Sequence, residues 1–304
     1  MKNANELIEL HNAITGEIID ERNEEMAQSI TDKRENAGRA RKRLDTAGKT
    51  LESLGLDVAN LNALDRELSA QSEQETLEIE ARMNELSQVA RPVTGLDVEA
   101  GFLPDGAQIL KPSWVAAFAD DDLQDEQTQA SVIPAQTLLS GGGCKNYYNW
   151  AKGAGSGLFG TGEGKIQSWI DFGFWFKPPT SRFYSVRPLF RFRGYVIVKA
   201  DDGIFTSKYA RVTGSAWTNV YQYNWKGWNH VDVYNLGDDN INTNRRMDID
   251  RYTYNSYLLG AGDWAYIRCT IGLYAYARGS GSYAKNDFAT GSANYLCVPH
   301  VYVV

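Results

Sequence analysis

The chain has 304 residues, a formal net charge of -7 and 43% hydrophobic residues. A chain of this length can bury a substantial core, and its acidic balance does not fit a nucleic-acid-binding protein, which needs a basic face. No stretch reaches the roughly 20 apolar residues that a membrane-spanning helix requires. We therefore expect neither nucleic acid nor a membrane span among its partners.

The first 91 residues differ from the rest because they contain no aromatic side chain, whereas all 8 Trp, 17 Tyr and 11 Phe lie after residue 100. Leu, Ile and Ala recur there at helical spacing among charged residues, which predicts helices. Gly55 could end one helix and Asp57 could cap the next. The chain then either turns back as a helical hairpin or forms a segmented arm that self-associates, and we favour the self-associating arm.

Between residues 30 and 68, apolar residues recur at two interleaved seven-residue spacings, which is the a/d pattern of a coiled coil. A polar gap at residues 69–76 interrupts the pattern before it resumes. Because such a seam is buried only against another helix, we predict an oligomeric stalk, which Leu51→Asp or Leu61→Asp should dissociate. The predicted oligomerisation residues are Leu44, Leu51, Leu54, Val58, Leu61 and Leu68.

Residues 92–143 hold half of the 8 prolines and are predicted to be a connector, with a short docked helix at residues 114–118. From Cys144 the hydrophobic period becomes two, with Gly-rich turns between short runs, which predicts an antiparallel, jelly-roll-like β-sandwich. The expected fold class is therefore α + β in separate segments: an N-terminal coiled coil over residues 1–91, the connector, and a β-sandwich head over residues 144–304.

The three cysteines form no CxxC pair, so we expect reduced thiols. No secretory signal is recognisable after Met1, which agrees with folding in a reducing cytoplasm. Motifs of serine hydrolases, zinc proteases and nucleotide-binding loops are absent from the sequence. We therefore predict a protein that is not an enzyme and has no cofactor and no metal site.

Aromatic rings alternate with amide side chains in one short segment of the head. Ring faces can stack on the apolar face of a sugar while amides reach its hydroxyl groups, although the same residues also fill sandwich cores and subunit interfaces. The predicted ligand-binding residues are Trp217, Tyr221, Tyr223, Trp225 and Trp228, with a second group formed by Tyr147, Tyr148 and Trp150.

The heptads of residues 44–68, followed by a connector and a Trp- and Tyr-rich β head after Cys144, resemble the fibre and receptor-binding proteins of tailed bacteriophages and of phage-like contractile injection systems. The resemblance implies a homotrimer made in the host bacterial cytoplasm and located in the virion. Its N-terminal arm would attach to other virion proteins, and its head would bind a host receptor, for which the aromatic segments suggest a glycan.

Other functions fit the same architecture. A head fibre, neck or baseplate protein would use the β head for contacts with neighbouring subunits and bind no receptor. A glycan depolymerase and a trimeric jelly-roll head of the TNF or complement type are further alternatives.

Overall fold

A computed structural model describes residues 2–89, 106–120, 143–153, 162–201 and 208–304. These residues form two helices and fifteen strands, and the strands make two antiparallel sheets. The helices are α1 (Lys2–Ser53) and α2 (Val58–Gln88). The strands are β1 (Gln108–Leu110), β2 (Trp114–Ala119), β3 (Cys144–Lys145), β4 (Tyr147–Lys152), β5 (Glu163–Phe176), β6 (Arg182–Ala200), β7 (Tyr209–Gln222), β8 (Asn224–Trp225), β9 (Asn229–Asp238), β10 (Ile241–Tyr252), β11 (Asn255–Leu259), β12 (Ala265–Arg278), β13 (Tyr283–Phe288), β14 (Tyr295–Cys297) and β15 (Val301–Val303).

The two sheets enclose one hydrophobic core between their inward faces. In the nine-stranded sheet, β6 is the central strand and pairs with β10, β11, β13, β14 and β15, while β4 follows β13 at the edge of the path. The six-stranded sheet runs β2-β5-β12-β7, and β8 and β9 both pair with β7. Alternate residues of β12, such as Ile267, Ile271 and Leu273, are fully buried in this core.

The predicted separation into a helical coiled coil and a β head is wrong. Both helices lie on the outer faces of the sandwich, so the chain is mostly β with a helix on each side. Ile14 and Ile18 of α1 pack against Trp169 of the six-stranded sheet, and Met83 of α2 packs against Ile197 of the nine-stranded sheet. Ile14, Ile18 and Met83 are thus buried by the sheets, whose outward faces take the place of the partner helix that the heptads led us to expect.

The predicted helix break is confirmed. Helix α1 ends at Ser53, Gly55 adopts a φ of 81°, and the Asn60 amide donates to Asp57 Oδ1 at 3.0 Å, which caps α2. This turn interrupts the heptad pattern. The chain then runs back as α2 along the opposite side of the sandwich, so the two helices form a helical hairpin.

The predicted oligomerisation residues lie on both helices of this hairpin, and in the single chain they differ in exposure. Leu54 is 71% exposed, Leu68 is 37% exposed, Leu51 and Leu61 are half-buried, Val58 is buried, and the Leu44 side chain lies outside the described residues.

The short helix expected at residues 114–118 is instead part of strand β2, whose six residues are all buried. Val115 and Ala117 face the core, whereas Trp114 and Phe118 face α1. A strand that is covered on both faces lacks alternation, so its sequence cannot be distinguished from a buried helix by period.

The expectation of reduced thiols is wrong for two of the three cysteines. Cys144 and Cys297 lie opposite each other in the β3–β14 pair and form a disulfide, while Cys269 is a buried free thiol. The two bonded residues are 153 positions apart, so only the strand pairing brings them together.

Within the described ranges, no helix is long and apolar enough to span a membrane. Of the 92–143 connector, residues 106–120 and residue 143 are described, and there β1 joins the nine-stranded sheet and β2 joins the six-stranded sheet.

Candidate functional site

A buried ion cluster attaches α1 to the six-stranded sheet. Asp171 is fully buried, and its carboxylate lies 3.0 Å from Arg22 Nε and 3.0 Å from Arg268 Nε, with Thr270 as a further donor. Burial alone would raise the pKa of Asp171, but the two guanidinium groups outweigh it and hold the pKa well below its usual range. The cluster therefore positions α1, and the donors that already surround the carboxylate leave it no catalytic role.

Helix α1 also contacts part of the first predicted aromatic group. The Tyr221 and Trp225 rings meet edge to face with centroids 5.4 Å apart, and Trp225 Nε1 donates to Glu17 Oε1 at 2.9 Å. These two side chains support the side of α1 and do not form an open platform.

The rest of that group is divided between two places. Trp217 and Trp228 meet edge to face with centroids 6.1 Å apart, and Arg268 lies 5.0 Å from the centroid of the Trp228 ring. Tyr223 is 68% exposed, has a φ of 65° and hydrogen-bonds Asp263. The structure therefore does not bring the five aromatics together on one free surface, because a guanidinium already occupies a face of Trp228.

A groove with a volume of about 510 Å³ lies between α2 and the outward faces of β4 and β13. Its aromatic lining consists of Tyr148, Trp150 and Tyr283. The Trp150 and Tyr283 rings are stacked, with centroids 6.1 Å apart and an interplanar angle of 29°. The volume falls in the range of about 300–1,000 Å³ that is typical of small-molecule sites.

The alternation of β4 explains which of the predicted residues reach the groove. Tyr148 and Trp150 point outward, and Lys152 continues the same face. Tyr147 points into the sandwich, is 2% exposed and donates its hydroxyl hydrogen to Ser168 Oγ at 3.0 Å. The second predicted group therefore contributes two residues to the groove and one to the core.

Strand β13 supplies the complementary side chains through its register with β4. Lys285 pairs with Trp150 across the two strands, and Tyr283 pairs with Lys152. Asp287 continues the outward face of β13. The sheet floor of the groove is thus a small grid in which aromatic rings and charged groups alternate.

Each lysine of the groove is already paired with a carboxylate. Lys285 Nζ lies 2.8 Å from Glu80 and 3.2 Å from Asp287, and Lys152 Nζ lies 2.7 Å from Glu73. Burial lowers the pKa of Lys285, but Asp287 and Glu80 outweigh burial, so the net shift is upward. Burial likewise raises the pKa of Asp287, but Lys285 and nearby hydrogen bonds outweigh it, so this pKa is lowered. Both groups are ionised near neutral pH.

Tyr283 stays a neutral hydrogen-bond donor over the physiological pH range. Its hydroxyl donates to Glu80 Oε1 at 2.6 Å. Burial, and then the charge of Glu80, raise the pKa of Tyr283 well above its usual value. The ring is therefore fixed beside Trp150 by a contact with α2.

Sequence reasoning missed Tyr283 and the charged residues around it. The pattern Tyr283-x-Lys285-x-Asp287 has the same period of two as Tyr148-x-Trp150, and that alternation was the available signal. Neither the pairing of β13 with β4 nor the wall contributed by α2 can be inferred from local spacing. The combined set offers ring faces, hydrogen-bond donors and acceptors in one concave site, which suits a polyhydroxylated ligand.

No group of three or more His, Cys, Asp or Glu that could hold a metal ion occurs in the part of the chain that the structure describes.

No protein-family model and no curated protein matches this sequence. Solved structures with some similarity include an isomalto-dextranase of Arthrobacter globiformis complexed with panose (12% identity, TM-score 0.18), a family 35 carbohydrate-binding module from an environmental isolate (10%, 0.19) and the enzymatically active domain of bacteriophage CBA120 tailspike protein 4 (8%, 0.20). Each covers 65% of this chain, which spans 23%, 92% and 19% of the respective chains. TM-scores this low do not establish a common fold.

Proposed function

We propose that the groove between α2 and the β4–β13 face binds a saccharide. The observation that supports this most strongly is the Trp150–Tyr283 pair, which lies in a cavity of about 510 Å³ beside ionised and hydroxyl groups. Ring faces of this kind pack on the C–H groups of a sugar, and the surrounding polar groups exchange hydrogen bonds with its hydroxyls. The proposal is one of binding, with no catalytic step.

The ligand is a neutral saccharide. Both lysines of the groove and their carboxylate partners are engaged with one another, so an anionic or cationic sugar would have to separate a partly buried pair. Removing one partner from such a pair leaves an uncompensated charge, which is costly. Neutral hydroxyl groups can instead accept from and donate to the existing pairs without breaking them.

Titration calorimetry with defined tetrasaccharides tests this proposal. The neutral probes are maltotetraose, cellotetraose and chitotetraose, and the charged controls are tetragalacturonate and the chitosan tetramer. We expect a neutral probe to bind with an affinity that changes less than about twofold between about 0.05 and 0.5 M NaCl, because no ion pair forms with the ligand. Preference for a charged probe with steep salt dependence would contradict the ligand class, and no binding by any probe would contradict the function.

We also propose that the protein is a viral structural protein, a homotrimeric phage fibre in the virion whose β head binds a glycan on the host surface. Support comes from the heptad spacing and the Trp- and Tyr-rich β domain of the sequence, and from a groove whose lining suits a saccharide. In this proposal other virion proteins bind the N-terminal arm. The alternative is a head fibre, neck or baseplate component without receptor binding, and exposed leucines at the hairpin turn favour subunit contacts in either case.

Leu54→Asp tests self-association through this turn. Leu54 is 71% exposed in the single chain, so a charge there should leave the fold intact. If copies associate through the turn, the charge is buried in the interface and the mass in light scattering should fall to that of one chain, 33.9 kDa. The control is Ile8→Asp, which places a charge at another exposed position of α1 (57%) away from the turn. An unchanged oligomer in the Leu54 variant, or a wild-type monomer, would contradict self-association.

A further inference from the structure

The groove has walls from two parts of the chain that are held together by α2 docking. Helix α2 supplies Glu73 and Glu80, and the nine-stranded sheet supplies Lys152, Lys285 and Trp150. Both lysine–glutamate pairs therefore cross from the sheet to the helix. A ligand that fills the groove contacts both walls, and the groove itself exists only while α2 is docked.

Helix α2 docks through small and polar side chains. Ser69, Ser72, Thr76 and Ser87 are buried on its sheet-facing side, and Met83 is the deeply buried apolar residue among them. These positions follow helical spacing, so they form one face. The small side chains allow the α2 backbone to approach the nine-stranded sheet and its turns closely.

Glycines in the turns that follow β12 and β13 show how close that approach is. A Cβ on Gly281 would lie 3.1 Å from Ser72 Cβ, and a Cβ on Gly291 would lie 2.6 Å from the Ser87 carbonyl oxygen. The Ser72 carbonyl also accepts a hydrogen bond from the buried Lys199 at 2.9 Å. Lys199 Nζ also lies 2.6 Å from Glu75 of α2, so undocking removes two partners of a fully buried charge and these contacts favour the docked helix.

Helix α1 is attached differently. Ile14 and Ile18 pack on an aromatic face of the six-stranded sheet, and Arg22 is fixed by the buried Asp171. Of the two helices, α2 supplies residues to the groove, so its docking is what a ligand in the groove can stabilise.

We infer that saccharide binding and α2 docking are coupled, so that an occupied groove locks α2 onto the nine-stranded sheet. This inference rests on the proposed saccharide-binding function. Because the ligand binds only the docked state, it stabilises docking as its concentration rises above its Kd, and undocking lowers the apparent affinity.

Two substitutions at neighbouring positions separate docking from direct contact. Ser69 is 6% exposed, hydrogen-bonds Ser280 and does not line the groove, so Ser69→Arg forces α2 away without altering a lining residue. Ala70 is exposed, so Ala70→Arg adds the same side chain on the solvent side as a matched control. The probe is the neutral tetrasaccharide that binds the wild type most tightly. We expect at least about a tenfold loss of affinity for Ser69→Arg and none for Ala70→Arg.

Amide hydrogen exchange on the wild-type chain provides the second readout. At a probe concentration of about 100 Kd, exchange through undocking should slow by about 100-fold in residues 69–87, while residues 14–26 of α1 stay unchanged. If exchange in α2 does not respond to a bound probe, or if Ser69→Arg releases α2 yet binds normally, the coupling is wrong while saccharide binding stands. If no probe binds the wild type, both proposals fail.

Discussion

Asp171→Asn is expected to lower the free energy of unfolding by about 3–5 kcal/mol, which is the usual cost of removing one partner from a buried ion cluster. The amide keeps the size of the side chain but cannot neutralise Arg22 and Arg268, both of which are about 1% exposed. Two buried guanidinium groups would then lie between α1 and the six-stranded sheet, each left with only a half-exposed partner, Glu25 for Arg22 and Glu21 for Arg268. We expect α1 to separate first, because this cluster lies beneath it.

Urea denaturation followed by tryptophan fluorescence measures this loss. The matched control is Glu25→Gln, because Glu25 pairs with the same Arg22 but is 43% exposed, so its removal should cost no more than about 1 kcal/mol. Equal stability losses in the two variants would show that the buried carboxylate does not hold α1.

The same carboxylate makes stability depend on pH. The pKa of Asp171 is lower in the folded chain than in the unfolded chain, where it is about 3.9. The ionised carboxylate therefore contributes fully to the free energy of unfolding above that pH, and this contribution is lost as the pH falls below it. The wild type should therefore lose stability in acid, and the difference between the wild type and Asp171→Asn should shrink as the pH falls.

Trp150→Ala is expected to weaken binding of the neutral tetrasaccharide by about 10- to 100-fold, which corresponds to the roughly 1.5–3 kcal/mol gained when a large apolar side chain is buried. Trp150 is the ring that stacks with Tyr283 in the groove. Because it is half-buried on edge strand β4, the sandwich should remain folded, and this can be checked by urea denaturation.

Trp228→Ala is the control for this prediction. Trp228 is 44% exposed and lies in the turn between β8 and β9 of the other sheet, where Arg268 covers one face of its ring. Its removal should change the affinity by less than about twofold, since distant sites act independently. The reverse result, with binding lost in Trp228→Ala and kept in Trp150→Ala, would place the saccharide on the aromatic segment that the sequence favoured and would reject the groove.

Local sequence patterns carry enough information to orient a side chain on its strand but not to identify the partner strand. Alternation predicts the outward direction of Tyr148 and Trp150 correctly once β4 is recognised. The partner strand β13 lies more than 100 residues later, and its side chains reach the groove only through a register that no local pattern encodes. The sequence therefore indicates the β4 side of the groove through Tyr148 and Trp150, but not the sides formed by β13 and α2.

The helical arm was harder to interpret because the periodicity of a helix does not identify its partner. Ile14 and Ile18 have the spacing of a buried face, but a coiled coil and an aromatic sheet cover such a face equally well. Ser69 and Ser72 break the heptads, and a polar gap argues against a helix partner. In the structure this gap is the docking face, because Ser72 bonds to Gly281 in the β12–β13 turn and to Lys199 of β6.

The most direct test of the proposed site is a crystal structure of the chain with the bound neutral tetrasaccharide. The proposal predicts a hexose ring within about 4 Å of the Trp150 ring, with hydroxyl groups reaching Lys285 and Glu80 and with α2 in place. A saccharide bound instead beside Trp217 and Trp228, or a groove left empty in crystals that hold the sugar elsewhere, would contradict it.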